Sequence, residues 1–154
     1  MTKSSKSVQI VVPATLVALH QVSDGIDKYL AMFDGLPDSK NFTYNVVLAV
    51  HELCANIVTH AYAGEPGVIG VGLLMKQRPP SLIVSVYDNA PRIFDEAGWK
   101  SPNLDDPPEH GLGIWLIKQL MDEVIYSPAP GNNRWCLVKH IPGLVAGGKI
   151  GAVH

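Results

Sequence analysis

The sequence is poor in cysteine, in charged residues and in long apolar runs. It has 2 cysteines among 154 residues, 17% charged residues and a net charge of −2. Cys54 and Cys136 fall inside apolar patterns without metal-ligand spacing, so we expect buried thiols in a reducing compartment. The absence of a basic stripe argues against direct nucleic-acid binding. No run approaches the ~20 apolar residues of a membrane span, and the first residues lack the apolar core of a signal peptide. We therefore expect a cytoplasmic protein without a membrane partner.

The remaining composition is that of an ordinary globular protein. The hydrophobic fraction is 47%, and the length suits one domain with its own core. We expect a flexible leader over residues 1–7, a single domain over 8–141 and a Gly-rich tail over 142–154.

Hydrophobic periodicity predicts three helices and four strands inside that domain. The strands are predicted at 8–12, 68–76, 81–88 and 132–140, and the helices at 13–33, 41–62 and 111–124. The order β-α-α-β-β, loop, α-β predicts an α+β fold. In that fold, a two-layer α/β sandwich, the helices cover one face of a mixed sheet.

The stretch AVHELCANIVTHAY, residues 49–62, places three polar side chains on one side of a helix. Glu52, Asn56 and His60 are spaced by four, a series that drifts only ~40° per step. A carboxylate one turn from an amide oxygen suits a general base beside a Mg²⁺ ligand at one phosphate. The alternative is that Glu52 and Asn56 cap neighbouring loops or face water.

Asp88 ends the alternating apolar strand LIVSVYD at the start of a loop. A buried carboxylate there needs a donor, and the amino group of a ligand can supply one. The alternative is an ordinary strand-end aspartate that caps a turn with Asn89.

The segment HGLG, residues 110–113, opens the third predicted helix. Gly111 and Gly113 leave backbone amides unobstructed at a helix N-terminus, which is a suitable phosphate site. The alternative is an entry turn without a ligand, since neither the Walker-A nor the Rossmann glycine pattern is present. The long loop before it, 89–110, is predicted to be a lid over nucleotide, with a surface insertion without function as the alternative.

Taken in order, these motifs resemble the Bergerat (GHKL) superfamily of histidine-kinase-like ATPases. Within it, the chain is similar to the anti-sigma-factor serine/threonine kinases, and HAY and LMDEV are specific to that subgroup. The segments that carry the resemblance are HELCANIVTHAY, VYDNAPRIFD, HGLGIWLIKQLMDEV and NNRWCLVKH. The resemblance covers residues 8 to about 141.

The resemblance implies ATP and Mg²⁺ as cofactors and a role for each polar motif. Glu52 would be the general base for a partner's hydroxyl, Asn56 the Mg²⁺ ligand, and Asp88 the acceptor for the adenine amino group. The glycine turn would present its backbone amides to the phosphates. The other nucleotide-binding positions implied are His60, Ala90, His110, Gly111, Leu112 and Gly113. For His60, the alternative is a structural hydrogen-bonding group.

The family's target is a serine or threonine on a STAS-type anti-anti-sigma protein, and its second activity is to sequester a sigma factor. Members tend to be homodimers. We therefore predict an ATP-dependent anti-sigma factor and protein-serine kinase. The alternative is a regulatory binding module of the same fold, with nucleotide or without it, that transfers no phosphate.

Three positions depart from the family pattern. Ala90, followed by Pro91, stands where the adenine loop usually has a glycine with a freer backbone. His110 replaces an arginine that often precedes the glycines, which makes the charge there depend on pH. The last strand offers Gly131 and Asn133 in place of a G-T pair. The Ala90–Pro91 replacement favours the binding module, whereas the intact Glu52 and Asn56 of the helix favour the kinase.

Overall fold

The computed structural model describes residues 7–93, 112–141 and 151–152. In chain order the elements are β1 (Ser7–Pro13), α1 (Leu19–Leu30), β2 (Phe33–Asp34), α2 (Ser39–Asn56), a π-helical turn (Ile57–Tyr62), β3 (Val68–Gln77), β4 (Pro80–Asp88), α3 (Leu112–Leu120), β5 (Glu123–Ser127), β6 (Asn133–His140) and β7 (Gly151–Ala152). Within these ranges, no helix is long and apolar enough to span a membrane.

Five strands form one sheet in the order β1-β3-β4-β6-β5. The sequence predicts a mixed sheet, whereas each described pair of neighbouring strands is antiparallel. Two helices separate β1 from β3, so the chain returns in the opposite direction. β4 and β5 are parallel in direction, since β6 pairs antiparallel with each of them. They are not neighbours, because β6 lies between them.

One face of the sheet carries the core. Alternate residues of β3 and β4 point to this face and are buried, as period-2 alternation dictates. These residues are Ile69, Val71, Leu73, Met75, Leu82, Val84 and Val86. The helices cover the same face, with α2 in contact with both α1 and α3. The result is two layers, helices over sheet. Each such buried side chain contributes about 1.5–3 kcal/mol relative to exposure.

The first helix begins later than its periodicity predicts. Pro13 still pairs with Val68 as the last residue of β1, and the Ala14 N–H donates to Gly67 O at 2.9 Å. The chain is therefore still tied to β3 where the helix was predicted to begin. Leu16, which fits the helical pattern, is 57% exposed and lies outside the core.

The third helix ends earlier than predicted, and it is followed by a strand that was not predicted from the sequence. Lys139 Nζ donates to Leu120 O at 2.7 Å at the end of α3. The Asp122 N–H then donates to Val138 O at 2.8 Å, which starts the β5–β6 pairing. The signal for β5 was the alternating EVIYS, which the preceding helical periodicity obscured. Within the predicted tail, β7 pairs with β2.

Candidate functional site

The three polar side chains predicted on one side of a helix lie in two kinds of helix. Glu52 and Asn56 are half-buried in the last turns of α2, one turn apart and thus on the same side. His60 is exposed and lies in the π-helical turn. That turn closes with an i→i+5 bond from the Ala63 N–H to Val58 O at 3.2 Å. Because such a turn holds one residue more than an α-turn, the four-residue spacing does not keep His60 in line with the other two.

Asp88 is buried at the end of β4, with 2% of its surface exposed. Its Oδ1 accepts from the Ala90 N–H at 3.0 Å and from Asn133 Nδ2 at 3.0 Å. Among the described residues, none donates to its second oxygen, Oδ2. Burial raises the pKa of Asp88, and the hydrogen bonds from Asn133 and Ala90 act against that rise. One oxygen therefore caps the turn, as the simpler interpretation predicts, and the other is left for an additional donor.

The charge of Asp88 acts on two groups of the helical segment, the Cys54 thiol and the Tyr62 hydroxyl. Burial and, to a smaller extent, the charge of Asp88 raise the pKa of the Cys54 thiol to about 12. The same charge contributes to the raised pKa of Tyr62. The backbone N–H of the next residue, Asn89, donates to the Tyr62 hydroxyl at 3.0 Å, so the end of β4 lies against the π-helical turn. Both cysteines are free, and Cys54 is buried as predicted, whereas Cys136 is only partly buried.

The glycine-led helix is α3, Leu112–Leu120. The C-terminus of α3 is held by Lys139, near the end of β6, and a nine-residue helix extends about 13 Å from there. Leu112 and Gly113 stand in its first turn. Backbone amides in a first turn have no intrahelical acceptor. His110, Gly111 and the predicted lid from 94 onward lie outside the described residues.

Ala90 occupies its position without backbone strain. It is fully buried, and the non-glycine residues with positive φ in the described ranges are Asp38 and Ala63. Its carbonyl accepts from the Gly131 N–H at 2.8 Å. The conformational freedom of glycine is thus not needed at position 90, and the methyl group is covered by protein.

Asn133 belongs to the site, although the sequence indicated it only as a departure from the family pattern. It is 1% exposed at the start of β6. Besides its bond to Asp88, its Nδ2 donates to Ala90 O at 3.3 Å and Arg92 O at 3.1 Å, and its Oδ1 accepts from the Ala129 N–H at 3.0 Å. Asn133 therefore holds together the carboxylate and the two loops beside it.

Asn133→Ala is expected to lower the free energy of unfolding by about 2–3 kcal/mol, because buried polar groups lose their partner. Urea denaturation at neutral pH measures the change. The neighbouring Asn132 is exposed, so Asn132→Ala should remain within about 0.5 kcal/mol of wild type. Equal losses in the two variants would contradict the bridging role of Asn133.

The described residues contain no group of three or more His, Cys, Asp or Glu side chains that could hold a metal. A cation at this site would need most of its ligands from water or substrate. Mg²⁺ binds in that way, through one or two protein oxygens together with phosphates. The single amide of Asn56 fits such a site.

Comparison with known proteins gives one family and one fold. A family model described as histidine kinase-like ATPase domain matches residues 12–139. A serine-protein kinase RsbW from Bacillus thuringiensis is 31% identical over 100 residues, and one from Bacillus cereus is 33% identical over 103 residues. Each match covers 58% of this chain and 62% of the relative, so this chain spans less than two thirds of these relatives.

Solved structures agree on the fold. The RsbU and RsbW domains of a Mycobacterium tuberculosis protein align with a TM-score of 0.63 at 19% identity, over 89% of this chain and 32% of that one. The histidine kinase domain of a blue-light activated histidine kinase from Erythrobacter litoralis aligns with a TM-score of 0.54 at 16% identity, over 92% of this chain and 65% of that one. The two-layer α+β architecture predicted from the sequence is confirmed.

Proposed function

This chain belongs to the histidine kinase-like ATPase domain family, and on that premise we propose that it is an ATP- and Mg²⁺-dependent protein-serine kinase and anti-sigma factor. It phosphorylates a STAS-type anti-anti-sigma protein and sequesters a sigma factor. The similarity to serine-protein kinases of the RsbW type supports this proposal. A cytoplasmic location is part of it, in keeping with the two free cysteines.

The observation that carries the proposal is the second carboxylate oxygen of Asp88. It is buried and ionisable, and no described residue donates to it. A buried acceptor without a donor costs about 1–3 kcal/mol, more when it is charged. The adenine amino group of ATP supplies a donor of the right kind. Ala90, which closes the loop beside Asp88, would line the same end of the nucleotide.

The phosphate end of the site is assigned to α2 and to the start of α3. Asn56 would provide an amide oxygen to Mg²⁺, and the backbone amides of Leu112 and Gly113 would donate to the phosphates. When bound, Mg²⁺ neutralises charge that develops on the transferred phosphoryl group. We assign His60, His110 and Gly111 to the surroundings of the nucleotide as well.

Transfer itself needs a base for the partner's hydroxyl. Glu52 is one helical turn from Asn56 on the same side of α2, a spacing that supports a carboxylate and a metal ligand acting at one phosphate. Glu52 accepts the proton of the serine hydroxyl as the serine oxygen attacks the γ-phosphorus. The bond between the γ-phosphorus and the β–γ bridging oxygen breaks, and ADP leaves with that oxygen. Positioning and charge neutralisation provide most of the catalysis in such reactions.

The test is to incubate the protein with γ-labelled ATP, Mg²⁺ and the STAS-type protein of the same organism. Label on the partner, dependent on Mg²⁺, is the expected result. Nucleotide binding without transfer would instead favour a regulatory binding module. Absence of binding in calorimetry at millimolar Mg-ATP would exclude both ATP-dependent functions. Gel filtration of the same sample reports whether the protein is a homodimer.

A further inference from the structure

Tyr62, the last residue of the π-helical turn, joins two segments that belong to the candidate site. Its side chain is 1% exposed. Its hydroxyl contacts Val68 O at the start of β3 and Asn89 Oδ1 directly after β4. The backbone N–H of Asn89 donates to the same hydroxyl oxygen at 3.0 Å. One side chain thus connects the end of the second helix to both strands.

Asn89 closes this network on the strand side. Its Oδ1 also accepts from the Val68 N–H at 3.4 Å. Burial raises the pKa of Tyr62, the hydrogen bond from Asn89 lowers it, and the charge of Asp88 raises it. The hydroxyl therefore keeps its proton at neutral pH and remains a donor.

The direction of the Tyr62 ring follows from the backbone around it. The i→i+5 bond that ends at Ala63 places one extra residue in the turn. On the strand side, a Cβ added at Gly67 would lie 2.2 Å from a carbon of the Tyr62 ring. The ring fills the space that a side chain at position 67 would need, so a glycine is required there.

The position of Tyr62 in the chain gives this network its significance. It follows Asn56, the assigned metal ligand, by six residues in a continuous helical segment. Its partner Asn89 is next to Asp88, the assigned adenine acceptor. Tyr62 is thus bonded to the segment that carries one end of the nucleotide and is part of the segment that carries the other.

We propose that Tyr62 is a positioning residue that sets the spacing between the adenine end and the phosphate end of the site. This inference rests on the proposed function. Without the hydroxyl, the helix segment and the β4 end move independently, and a ligand that touches both ends binds less well. A ligand that touches only the adenine end is affected much less.

The test compares Tyr62→Phe with Tyr29→Phe, which is a closely matched control. Tyr29 is also 1% exposed, and its hydroxyl accepts from the Met75 N–H at 2.8 Å in the core between α1 and β3. Tyr62→Phe is expected to raise the calorimetric Kd for Mg-ATP about tenfold, the factor given by one lost hydrogen bond of about 1.4 kcal/mol. Tyr29→Phe should stay within about twofold, and the Kd of Tyr62→Phe for adenosine should rise by no more than about threefold.

A second pair of variants tests the ring itself. Gly67→Ala displaces the Tyr62 ring and should give the same selective loss for Mg-ATP. Gly72→Ala also adds a methyl group, here within β3, where it meets only the flexible Gln9 side chain at 2.6 Å, and it should leave the Kd unchanged.

Wild-type protein that binds no Mg-ATP would overturn the proposed function and this inference together. Wild-type binding with equal Kd values for Tyr62→Phe and Tyr29→Phe would overturn this inference alone. An equal loss of ATP and adenosine binding in Tyr62→Phe would also overturn it, because the effect would then be confined to the adenine end.

Discussion

Glu52→Gln is expected to lower the rate of phosphate transfer to the STAS-type partner by about 10²–10⁴-fold, the contribution usual for a general base. Glutamine keeps the size of the side chain but does not take up the proton of the attacking hydroxyl. Glu52 is half-buried and no described residue bonds to it, so the fold should change little. The Kd for Mg-ATP should stay within about threefold of wild type, because the base acts in the transition state and not in nucleotide binding. Single-turnover transfer from γ-labelled ATP and calorimetry measure the two quantities.

His51→Gln is the matched control for this variant. His51 is exposed and adjacent to Glu52 on α2, so the substitution introduces the same side-chain amide on the same helix but on another side. Transfer by His51→Gln should remain within about twofold of wild type. Unchanged transfer by Glu52→Gln would remove the carboxylate from the mechanism. A similar loss in both variants would point to the helix as a whole.

Predictions from the sequence were most successful where the signal is local. Hydrophobic patterning predicted the strands β3 and β4, because the period of 2 is imposed by the strand backbone itself. The motif order also predicted the family, and the match to the histidine kinase-like ATPase model over residues 12–139 confirms it. The roles of the individual site residues stay predictions.

Features that depend on distant partners could not be predicted. Asn133 acts on Asp88 from 45 positions away in sequence, and Tyr62 acts on Asn89 from 27 positions away. For neither residue does a periodicity or a motif in the sequence indicate which residue is its partner. The antiparallel sheet is a similar case, since it depends on the insertion of β6 between β4 and β5.

Ala90 shows how a departure from a family pattern can be accommodated. Sequence reasoning treats it as an obstacle to nucleotide binding, since glycine permits a close approach. In the structure its backbone is unstrained and both of its polar groups are bonded. The bond from Asn133 to its carbonyl connects two of the departures, so the pair of replacements forms one local arrangement.

Asp88→Asn is the second large effect expected, and it separates ligand binding from stability. With Ala90 and Asn133 both donating to Oδ1, the amide of an asparagine would keep its oxygen there and place its NH₂ group where Oδ2 stood. That group faces the adenine amino group, donor against donor. ATP affinity should fall about 100-fold, or about 2.7 kcal/mol, the scale of a lost hydrogen bond to a charged group.

Asp122→Asn provides the control for this loss. Asp122 is exposed and accepts from the backbone N–H of His140 at 2.6 Å at the opposite end of β6, so it is also an aspartate that caps a backbone amide. Its conversion to asparagine should leave the Kd for ATP within about twofold. Undiminished ATP binding by Asp88→Asn would place the adenine elsewhere.

The stability of Asp88→Asn should differ from wild type in a pH-dependent way. Burial raises the pKa of Asp88 in the folded protein above its ordinary value of 3.8. At a pH between the ordinary pKa of the unfolded chain and the raised pKa of the folded protein, the folded protein holds a proton that the unfolded chain has lost. The stability of wild type therefore falls, relative to the variant, as the pH rises through this window. Without nucleotide, Asp88→Asn should therefore be at least as stable as wild type in urea at pH 7, and its advantage should shrink as the pH approaches 4. With ATP present the order should reverse at pH 7, because ligand binding then stabilises the folded wild type more than the variant, whose affinity for ATP is about 100-fold lower. A carboxylate in a binding site is expected to destabilise the protein without ligand, and the bound ligand offsets that destabilisation. Conversion of a purely structural aspartate to asparagine would instead destabilise the protein at every pH.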